Sequence, residues 1–360
     1  MEIVQTFIDM NVVSLFNGMN TGRQALENVG IKVDKYYSSE IKPYAIELTQ
    51  YHFPDTIQVG DVTKWKDWDI DWQSIDLILS GSPCQDLSAA GKRAGINGSK
   101  SSLFFVFVEI LEHIKSLNPN VLFLQENVGS ASKLDVGIMS RALGVYPVRI
   151  NSSLVTAQLR DRYYWSNIKT KETMFDIVTD IPQPKDRGIM FKDILESGTS
   201  NFNKSPCLME GSYKGIYKSM DKYKNFIIKR EKDGFTNQWY AIEYKTNLLY
   251  QENNELRCKT NTNKGYDIVT ENDCLDLSFP TSTTRRTRVT KDKSPCLMES
   301  VNNLFALQNY SVRNLTKTEF CRLQGFTDNY CDILSIQKSI SLLGDGWTLP
   351  IIEHIFKFII

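Results

Sequence analysis

The chain has 360 residues, of which 41% are hydrophobic and 23% charged, as is typical of a globular protein with a sizeable core. Lysine and arginine together number 42, as do aspartate and glutamate, so the formal net charge is zero. This balance excludes a global attraction to polyanions, and any nucleic-acid binding must come from local basic patches. The length suits one large domain and one smaller domain.

The seven cysteines are scattered and form no Cys-x-x-Cys pair, which argues against a zinc site. An odd number of cysteines without a recognisable signal peptide favours reduced thiols in a cytosol. The longest apolar runs, such as residues 103–111, are too short to cross a membrane. We therefore expect a cytoplasmic protein with no metal and no membrane partner.

The first elements predict a nucleotide-binding unit. Residues 11–16 indicate a strand, residues 17–22 a glycine turn, and residues 23–29 a helix that ends at Gly30. Glycines let the backbone approach a ligand closely, and the amides at a helix start face its polar groups. No phosphate-loop motif occurs, which favours a cofactor without a pyrophosphate.

An acid follows each of the next two predicted strands. Residues 33–39 form the second strand and lead to Glu40, and residues 56–60 form the third and lead to Asp61. An acid about 20 residues beyond the glycine turn commonly binds ribose hydroxyls, although Glu40 is also consistent with a solvated surface residue. Asp61 either accepts a hydrogen bond from an adenine amine or caps the helix that follows.

A fourth strand, residues 75–79, leads into Gly81-Ser-Pro-Cys-Gln-Asp86. The proline stiffens the turn and fixes Cys84 at the carboxyl end of the strand, where open α/β sheets place their chemistry. A cysteine by itself is more often a small buried hydrophobe. Residues 86–100 are glycine-rich and basic, and they predict either a lid over a phosphate backbone or a mobile surface loop.

A helix over residues 102–117 and a strand over residues 121–124 precede Glu126. A thiol nucleophile and a positioned carboxylic acid form a recognisable catalytic combination. Further along, Gln158, Arg160 and Arg162 share one face of a predicted strand. That face either clamps a planar polar ligand or an anion, or is the solvated side of an edge strand.

Taken in order, these motifs resemble the cytosine-5 DNA methyltransferase family over nearly the whole chain. The family's cofactor turn, nucleophile motif, acid motif, base-facing strand and last block are similar to residues 15–22, 83–85, 126–128, 158–162 and 344–350. Five blocks in the family's order are far more specific than any one of them.

The resemblance leans toward the branch that includes the vertebrate de novo enzymes. Residues 33–40, the Thr21-Gly22 pair and the Trp347-Thr-Leu-Pro350 ending are similar to that branch. Ser14 and Asn17 depart from the common pattern of the cofactor turn, and Asp345 replaces the usual asparagine of the last block.

The resemblance implies an α/β fold of two domains. Residues 1–170 and 340–360 would form a Rossmann-like, S-adenosyl-L-methionine-dependent methyltransferase domain. Residues 171–339 would form a smaller, mixed target-recognition domain. The final apolar helix, residues 349–360, would return to pack on the first domain.

The resemblance also implies the chemistry, with S-adenosyl-L-methionine as the methyl donor. Cys84 would add to carbon 6 of a flipped cytosine, and Glu126 would hold the base at nitrogen 3 and the exocyclic amine, partly as a proton donor. Arg160 and Arg162 would hold the exocyclic oxygen of the base and orient Glu126. The residues implied to hold the cofactor are Phe16, Gly18, Thr21, Glu40, Ile41, Asp61, Val62, Pro83 and Trp347.

Double-stranded DNA is the implied partner. Ser88, Lys92 and Arg93 are candidate contacts in the closing loop, and the region near residues 200–290 is expected to read the target sequence. Within it, Arg285 and Arg286 lie among hydroxyl side chains, and such mixtures bind phosphates while arginine can read guanine.

One short repeat has no chemical explanation. Residues 204–210, Lys-Ser-Pro-Cys-Leu-Met-Glu, recur as residues 293–299. We interpret the copies as two similar strands that frame the recognition region. Their cysteines, Cys207 and Cys296, follow Ser-Pro as Cys84 does, but no catalytic carboxylate or arginine strand follows at the expected spacing.

The sequence leaves two other functions open: RNA cytosine-5 methylation on the same fold, and DNA binding without catalysis. Intact Cys84, Glu126, Arg160 and Arg162 argue against the second. A monomer from a bacterium or its virus is expected, with a cognate restriction endonuclease as a candidate partner.

Overall fold

The computed structural model divides the chain into two compact units. The first comprises Met1–Val155, Asp161–Asp186 and Gly346–Ile360, and the second comprises Thr156–Arg160 and Arg187–Asp345. The structure describes residues 9–83, 103–196, 204–206, 249–252, 255–260, 262–269, 274–276, 288–290, 304–308, 311–313 and 315–359.

Helices and strands succeed one another along these ranges. The helices are α1 (Thr21–Asn28), α2 (Pro43–His52), α3 (Leu103–Leu117), α4 (Lys133–Leu143), α5 (Lys317–Gln324), α6 (Ile336–Asp345) and α7 (Leu349–Phe356). The strands of the first unit and its border are β1 (Asp9–Leu15), β2 (Lys32–Ser39), β3 (Ile57–Gln58), β4 (Leu77–Ser80), β5 (Leu122–Val128), β6 (Val148–Asn151), β7 (Gln158–Leu159), β8 (Asp161–Ser166), β9 (Thr170–Glu172) and β10 (Ile177–Thr179). The later strands are β11 (Ser205–Pro206), β12 (Leu249–Glu252), β13 (Glu255–Lys259), β14 (Tyr266–Val269), β15 (Cys274–Asp276), β16 (Arg288–Thr290), β17 (Leu304–Gln308) and β18 (Ser311–Arg313).

The first unit is built on a sheet that, over the described residues, has seven strands in the order β3-β2-β1-β4-β5-β8-β6. Strands β3, β2, β1, β4 and β5 are parallel to one another, whereas β8 runs antiparallel to both β5 and β6. The strand order reverses between β1 and β4, where α/β sheets place their ligands. This mixed sheet, with helices between its parallel strands, confirms the predicted α/β fold.

The core of this unit lies between the sheet and α3. Val13, Ile78 and Phe123 come from three neighbouring strands and pack in one buried cluster with Phe104 and Phe107 of α3. The helix presents its apolar side chains at helical spacing, so that one stripe faces the sheet. This packing fixes the strands whose carboxyl ends carry the predicted site residues.

Both ends of the chain contribute to the first unit. The C-terminal helix α7 packs on α1, and Asn28 Nδ2 donates to Glu353 Oε1 at 2.6 Å. The prediction that the final helix returns to the first domain is confirmed. Its apolar face is buried through Leu349, Pro350, Ile351, Ile352, Ile355 and Phe356.

The unit boundaries fall at residues 186/187 and 345/346, where we expected 170/171 and 339/340. The hairpin of β9 and β10 explains the first difference. Tyr146 N donates to Ile177 O at 2.8 Å, and Tyr146 pairs with Val178, so this hairpin belongs to the first unit. The small segment Thr156–Arg160 belongs to the second unit.

The second unit contains antiparallel strands and the helices α5 and α6. In the described residues, β12, β13 and β14 form one sheet and β16, β15, β17 and β18 form another. Thr316 and Glu319 form a capping box at the start of α5, and Gly325 ends the helix with a positive φ of 80°.

No described helix is long and apolar enough to span a membrane. In the same residues, no group of three or more His, Cys, Asp and Glu side chains is arranged to hold a metal ion.

Candidate active site

The register of the sheet brings four predicted site positions to one edge. Leu15 pairs with Ser39 and with Ser80, and Ser80 pairs with Gln125, so β1, β2 and β4 end in one row beside Gln125 of β5. Carboxyl ends of parallel strands meet at the same edge of a sheet. The residues that follow this row, one from each strand, are Phe16, Glu40, Gly81 and Glu126.

Glu126 lies within β5, because the antiparallel partner β8 continues the pairing beyond Leu124. The side chain is nearly buried, and each carboxylate oxygen has a donor. Arg162 Nε lies 2.8 Å from Oε1, and Trp347 Nε1 donates to Oε2 at 3.1 Å. Arg162 Nη1 also donates to Asp161 O at 2.9 Å, which holds the guanidinium against its own strand. Glu126 is thus a carboxylate held at two points.

The turn after β4 is attached to the strand that carries Glu126. Gln125 Nε2 donates to Ser82 Oγ at 3.0 Å, and Asn127 Nδ2 donates to Ser82 O at 3.5 Å. The same Gln125 amide donates to Glu126 O at 2.7 Å. Ser82 and the half-buried Pro83 immediately precede Cys84, so these bonds fix the point from which the predicted nucleophile extends. Sequence reasoning assigned no role to Gln125 or Ser82; an amide in an otherwise apolar strand was the signal.

The predicted cofactor turn has an unusual backbone. Phe16, Gly18 and Asn20 have positive φ values of 55°, 59° and 63°, and the two that are not glycine must be held by their surroundings. Gly18 N donates to Glu40 Oε2 at 2.8 Å. Thr21 then begins α1 and is buried. The turn is therefore tied to the acid at the end of β2.

Glu40 is not merely a solvated surface residue. Its Oε1 accepts hydrogen bonds from Ile41 N at 2.7 Å and Lys42 N at 2.9 Å, in addition to the Gly18 contact at Oε2. A carboxylate has about four acceptor sites, so about one remains, on Oε2. This position suits a single hydroxyl donor.

Asp61 caps the 3₁₀ helix Val62–Asp67. Its Oδ1 accepts from Thr63 N and from Thr63 Oγ1, both at 2.9 Å, and these bonds hold the pKa of Asp61 below its ordinary value. Oδ2 makes no hydrogen bond to any residue that the structure describes, and the side chain is exposed. Capping therefore leaves one oxygen available to a ligand. Val62 is buried beneath it.

Arg160 belongs to the second unit, and its surroundings there are polar. The expected continuous strand over Gln158, Arg160 and Arg162 does not form, because β7 pairs with β11 whereas β8 pairs with β5. Gln158 Nε2 donates to Leu323 O at 3.0 Å, and Arg160 Nη1 donates to Gly344 O at 3.0 Å. The predicted strand is therefore interrupted at Arg160.

Several residues with a predicted role lie outside the described residues. They are Cys84, the loop residues Ser88, Lys92 and Arg93, and the candidate recognition residues Arg285 and Arg286. The second copy of the repeat lies outside them too. Of the first copy, Ser205 and Pro206 pair with Gln158 and Leu159 as strand β11.

Comparison with known proteins decides the family. The model of the C-5 cytosine-specific DNA methylase family matches residues 10–360. This chain belongs to that family. It is a DNA cytosine-5 methyltransferase, and S-adenosyl-L-methionine is its cofactor.

Bacterial proteins are among the relatives of this methyltransferase. Type II methyltransferase M.NgoBV of Neisseria gonorrhoeae is 26% identical over 420 residues, covering 95% of this chain and 97% of the relative. Type II methyltransferase M.HpaII of Haemophilus parainfluenzae is 25% identical over 368 residues, covering 99% and 89%.

Solved structures share the fold of this methyltransferase. Dnmt2 methyltransferase of S. pombe has a TM-score of 0.53 at 14% identity, covering 98% of each chain. The methyltransferase EhMeth of Entamoeba histolytica has a TM-score of 0.52 at 13% identity, covering 99% of this chain and 98% of its own.

The residues at the sheet edge of the methyltransferase fit S-adenosyl-L-methionine. Ser39 Oγ donates to Gly60 O at 2.6 Å, which ties the end of β2 to the segment that leads to Asp61. Glu40 and Asp61 each keep an acceptor oxygen. Ile41, directly after Glu40, is 71% exposed and offers an apolar surface beside the acids. Carboxylates next to an apolar surface suit a nucleoside, and the bound cofactor supplies an electrophilic methyl group.

Proposed function

We propose that this methyltransferase works through a covalent adduct between Cys84 and carbon 6 of a cytosine taken out of the duplex. The observation that carries the proposal is the attachment of the Cys84 turn to the strand of Glu126, through Gln125 and Ser82. The turn that precedes the proposed nucleophile is thereby joined to the strand of the acid. Pre-organised positioning of this kind is a large part of enzymatic rate enhancement.

The proposed steps use the residues of this chain. Carbon 5 of cytosine is a poor nucleophile until a thiolate adds at carbon 6 and makes the ring an enamine. A Cys84 thiolate would form that bond, and carbon 5 would then take the methyl group, whose bond to the sulfonium sulfur of the donor breaks to leave S-adenosylhomocysteine. Loss of the carbon 5 proton and elimination of Cys84 restore the ring. Glu126 holds nitrogen 3 and the exocyclic amine, while Arg162 keeps its carboxylate in place.

Arg160 is proposed to hold the exocyclic oxygen of the base together with Arg162. Its guanidinium is almost fully buried, which is consistent with a positioned rather than a solvated arginine. The cofactor is proposed to contact Phe16, Gly18, Thr21, Glu40, Ile41, Asp61, Val62, Pro83 and Trp347.

A base inside a duplex cannot reach Cys84, so it must be flipped out at a cost of a few kcal/mol. We propose that residues 86–100 close over the DNA, with Ser88, Lys92 and Arg93 at phosphates or in the gap. The small domain, expected over residues 171–339, is proposed to read the target sequence. Reversing the charge of Arg285 and Arg286 should weaken DNA binding, and unchanged binding would remove them from that role.

The biological setting is also a proposal. Relatives described as type II methyltransferases support a bacterial origin and a role beside a cognate restriction endonuclease. We propose a cytoplasmic monomer, with an origin in a phage as an alternative. Within the family, Thr21-Gly22 and Trp347 support the branch that includes the vertebrate de novo enzymes.

Bisulfite sequencing of DNA from an expressing host tests the proposed substrate. One recurrent methylated cytosine context is expected, and it should vanish in a Cys84→Ala variant. Measuring the transfer of a labelled methyl group to purified duplex DNA and to tRNA distinguishes DNA methylation from the alternative, RNA methylation. Transfer to tRNA with none to duplex DNA would contradict the proposal.

A further inference from the structure

Trp347 contacts the predicted catalytic acid through its one polar atom. The indole Nε1 donates to Glu126 Oε2 at 3.1 Å, and the side chain of Trp347 is half-buried. The other oxygen of Glu126 is held by Arg162. The indole therefore supplies the second of the two described donors that fix this carboxylate.

The same indole also lies against the turn that leads to Cys84. A Cβ atom placed on Gly81 would lie 2.9 Å from Trp347 Nε1 and 3.4 Å from Trp347 Cε2. The distance of 2.9 Å is shorter than Cβ contacts in real proteins. The position of the indole ring therefore favours glycine, which has no Cβ, at residue 81. One side chain thus touches both the backbone before the nucleophile and the acid.

We propose that Trp347 is a positioning residue that fixes the orientation of the Glu126 carboxylate toward the base, beyond any contact it makes with the cofactor. This inference rests on the proposed roles of Cys84 and Glu126. It assigns a function to the indole N–H of Trp347, whereas contact with the cofactor would require only the aromatic ring.

The physical reason lies in the last torsion of glutamate. Rotation about the bond to the carboxylate is broad and roughly two-fold, so one donor does not fix the plane of the group. Arg162 restrains Oε1 and Trp347 restrains Oε2, and together they set that plane. Oε2 can still accept a further hydrogen bond from the exocyclic amine of the base. A tilted carboxylate would lose part of the advantage of pre-organised contact.

Trp347→Phe tests the proposal because phenylalanine keeps an aromatic ring and loses the N–H. We expect kcat for methyl transfer to duplex DNA to fall about tenfold, as for the loss of one hydrogen bond to a charged group. The KM for S-adenosyl-L-methionine and the Kd for S-adenosylhomocysteine should change less than about twofold. Formation of the covalent complex with 5-fluorocytosine DNA should slow by the same factor as kcat.

Trp68→Phe is the matched control. Trp68 Nε1 is buried and has no hydrogen-bond partner among the residues described, so its loss should leave kcat unchanged. A Trp347→Phe variant with unchanged kcat, or with weaker cofactor binding at normal kcat, would overturn the positioning role.

Gly81→Ala tests the same contact without changing Trp347. The added methyl group would lie 2.9 Å from Trp347 Nε1, so the ring or the turn must shift. We expect this shift to weaken the contact between the indole and Glu126 and to lower kcat at normal cofactor affinity. Full activity of Gly81→Ala would contradict the inference even if Trp347→Phe failed to fold. Glu126→Gln distinguishes a failure of the proposed function from a failure of this inference. Full activity of Glu126→Gln would refute the role of Glu126 as the acid. An inactive Glu126→Gln variant together with a fully active Trp347→Phe variant would refute only the positioning role of Trp347.

Discussion

At the scale of single residues, the site depends on polar side chains that hold other side chains. Gln125 is fully buried and uses one amide group to join Ser82 to the backbone of Glu126. Neither Gln125 nor Ser82 has a place in the chemical steps. Their effect is to keep the turn before Cys84 and the acid at a constant separation.

Ser82→Ala should therefore slow chemistry more than it affects stability. It removes one buried hydrogen bond, worth about 1 kcal/mol of unfolding free energy, and loosens the Cys84 turn. We expect slower single-turnover formation of the covalent complex, at unchanged affinity for DNA. Ser339→Ala is the control, because Ser339 is buried in the second unit and its Oγ donates to Ser335 O at 3.0 Å. Equal rates for both variants would count against the role of Ser82.

Glu126→Gln should abolish most activity without unfolding the protein. The amide keeps the size of the side chain but cannot act as a carboxylic acid, and such groups contribute about 10²- to 10⁴-fold to rates. One of the donors from Arg162 or Trp347 would then face an amide N–H₂ group, at some cost in stability. Methyl transfer and thermal unfolding of the same sample measure both effects. Retention of more than about a tenth of the activity would contradict the assignment.

At the scale of elements, sequence patterns predicted the helices and parallel strands well because their periodicity is local. The helices predicted over residues 23–29 and 102–117 are examples, since the structure has them as α1 and α3. The interruption between β7 and β8 was missed because it depends on two different pairing partners, β11 and β5, which lie far away in the sequence. The extension of β5 to Val128 was missed for the same reason.

In the candidate site, too, the features that depend on local sequence could be predicted and those that depend on distant partners could not. The positions of Glu40 and Glu126 could be predicted because each closely follows or lies in a recognisable strand. The contact from Trp347 to Glu126 could not, since 221 residues separate them and only the folded sheet brings them together. The sequence also did not predict which backbone N–H groups donate hydrogen bonds to the Glu40 carboxylate.

The cap of the short helix after β3 gives a prediction that depends on pH. Asp61→Ala should lower the free energy of unfolding by about 1 kcal/mol near neutral pH, whereas Asp61→Asn should change it little, since asparagine caps as well. The pKa of Asp61 is lowered, so its contribution is complete above the ordinary aspartate pKa and disappears as the pH falls through the folded value. Denaturant unfolding at several pH values measures this. A larger effect of Asp61→Ala in acid than at neutral pH would be the wrong sign.

The close packing of α1 on the sheet gives a second prediction at this scale. A Cβ on Gly22 would lie 2.4 Å from Leu79 Cδ1 and 3.1 Å from Tyr36 Oη, so Gly22→Ala must displace these buried side chains or the helix. Overpacking of this kind costs about 1–3 kcal/mol. Gly137→Ala is the control, because its Cβ would meet only Arg141 Nη1 at 3.5 Å and alanine favours a helix. In thermal unfolding, Gly22→Ala should have a lower Tm than the unmodified protein, and Gly137→Ala should have a higher one.

At the scale of the whole molecule, the chain leaves its first unit and returns to it. The parallel strands and the acid come from the first half, and Trp347 and α7 come from the last fifteen residues. Completion of the Glu126 site therefore depends on the C-terminal segment. The zero net charge of the chain implies that DNA affinity comes from local basic groups and falls with added salt.

The most direct test of the account is covalent trapping on duplex DNA with 5-fluorocytosine at the target position, in the presence of S-adenosyl-L-methionine. The unmodified enzyme, and variants with Cys207→Ala or Cys296→Ala, should form a complex that survives denaturing electrophoresis. Cys84→Ala should form none. A full yield of that complex from Cys84→Ala would contradict the account, because another group would then attack the base.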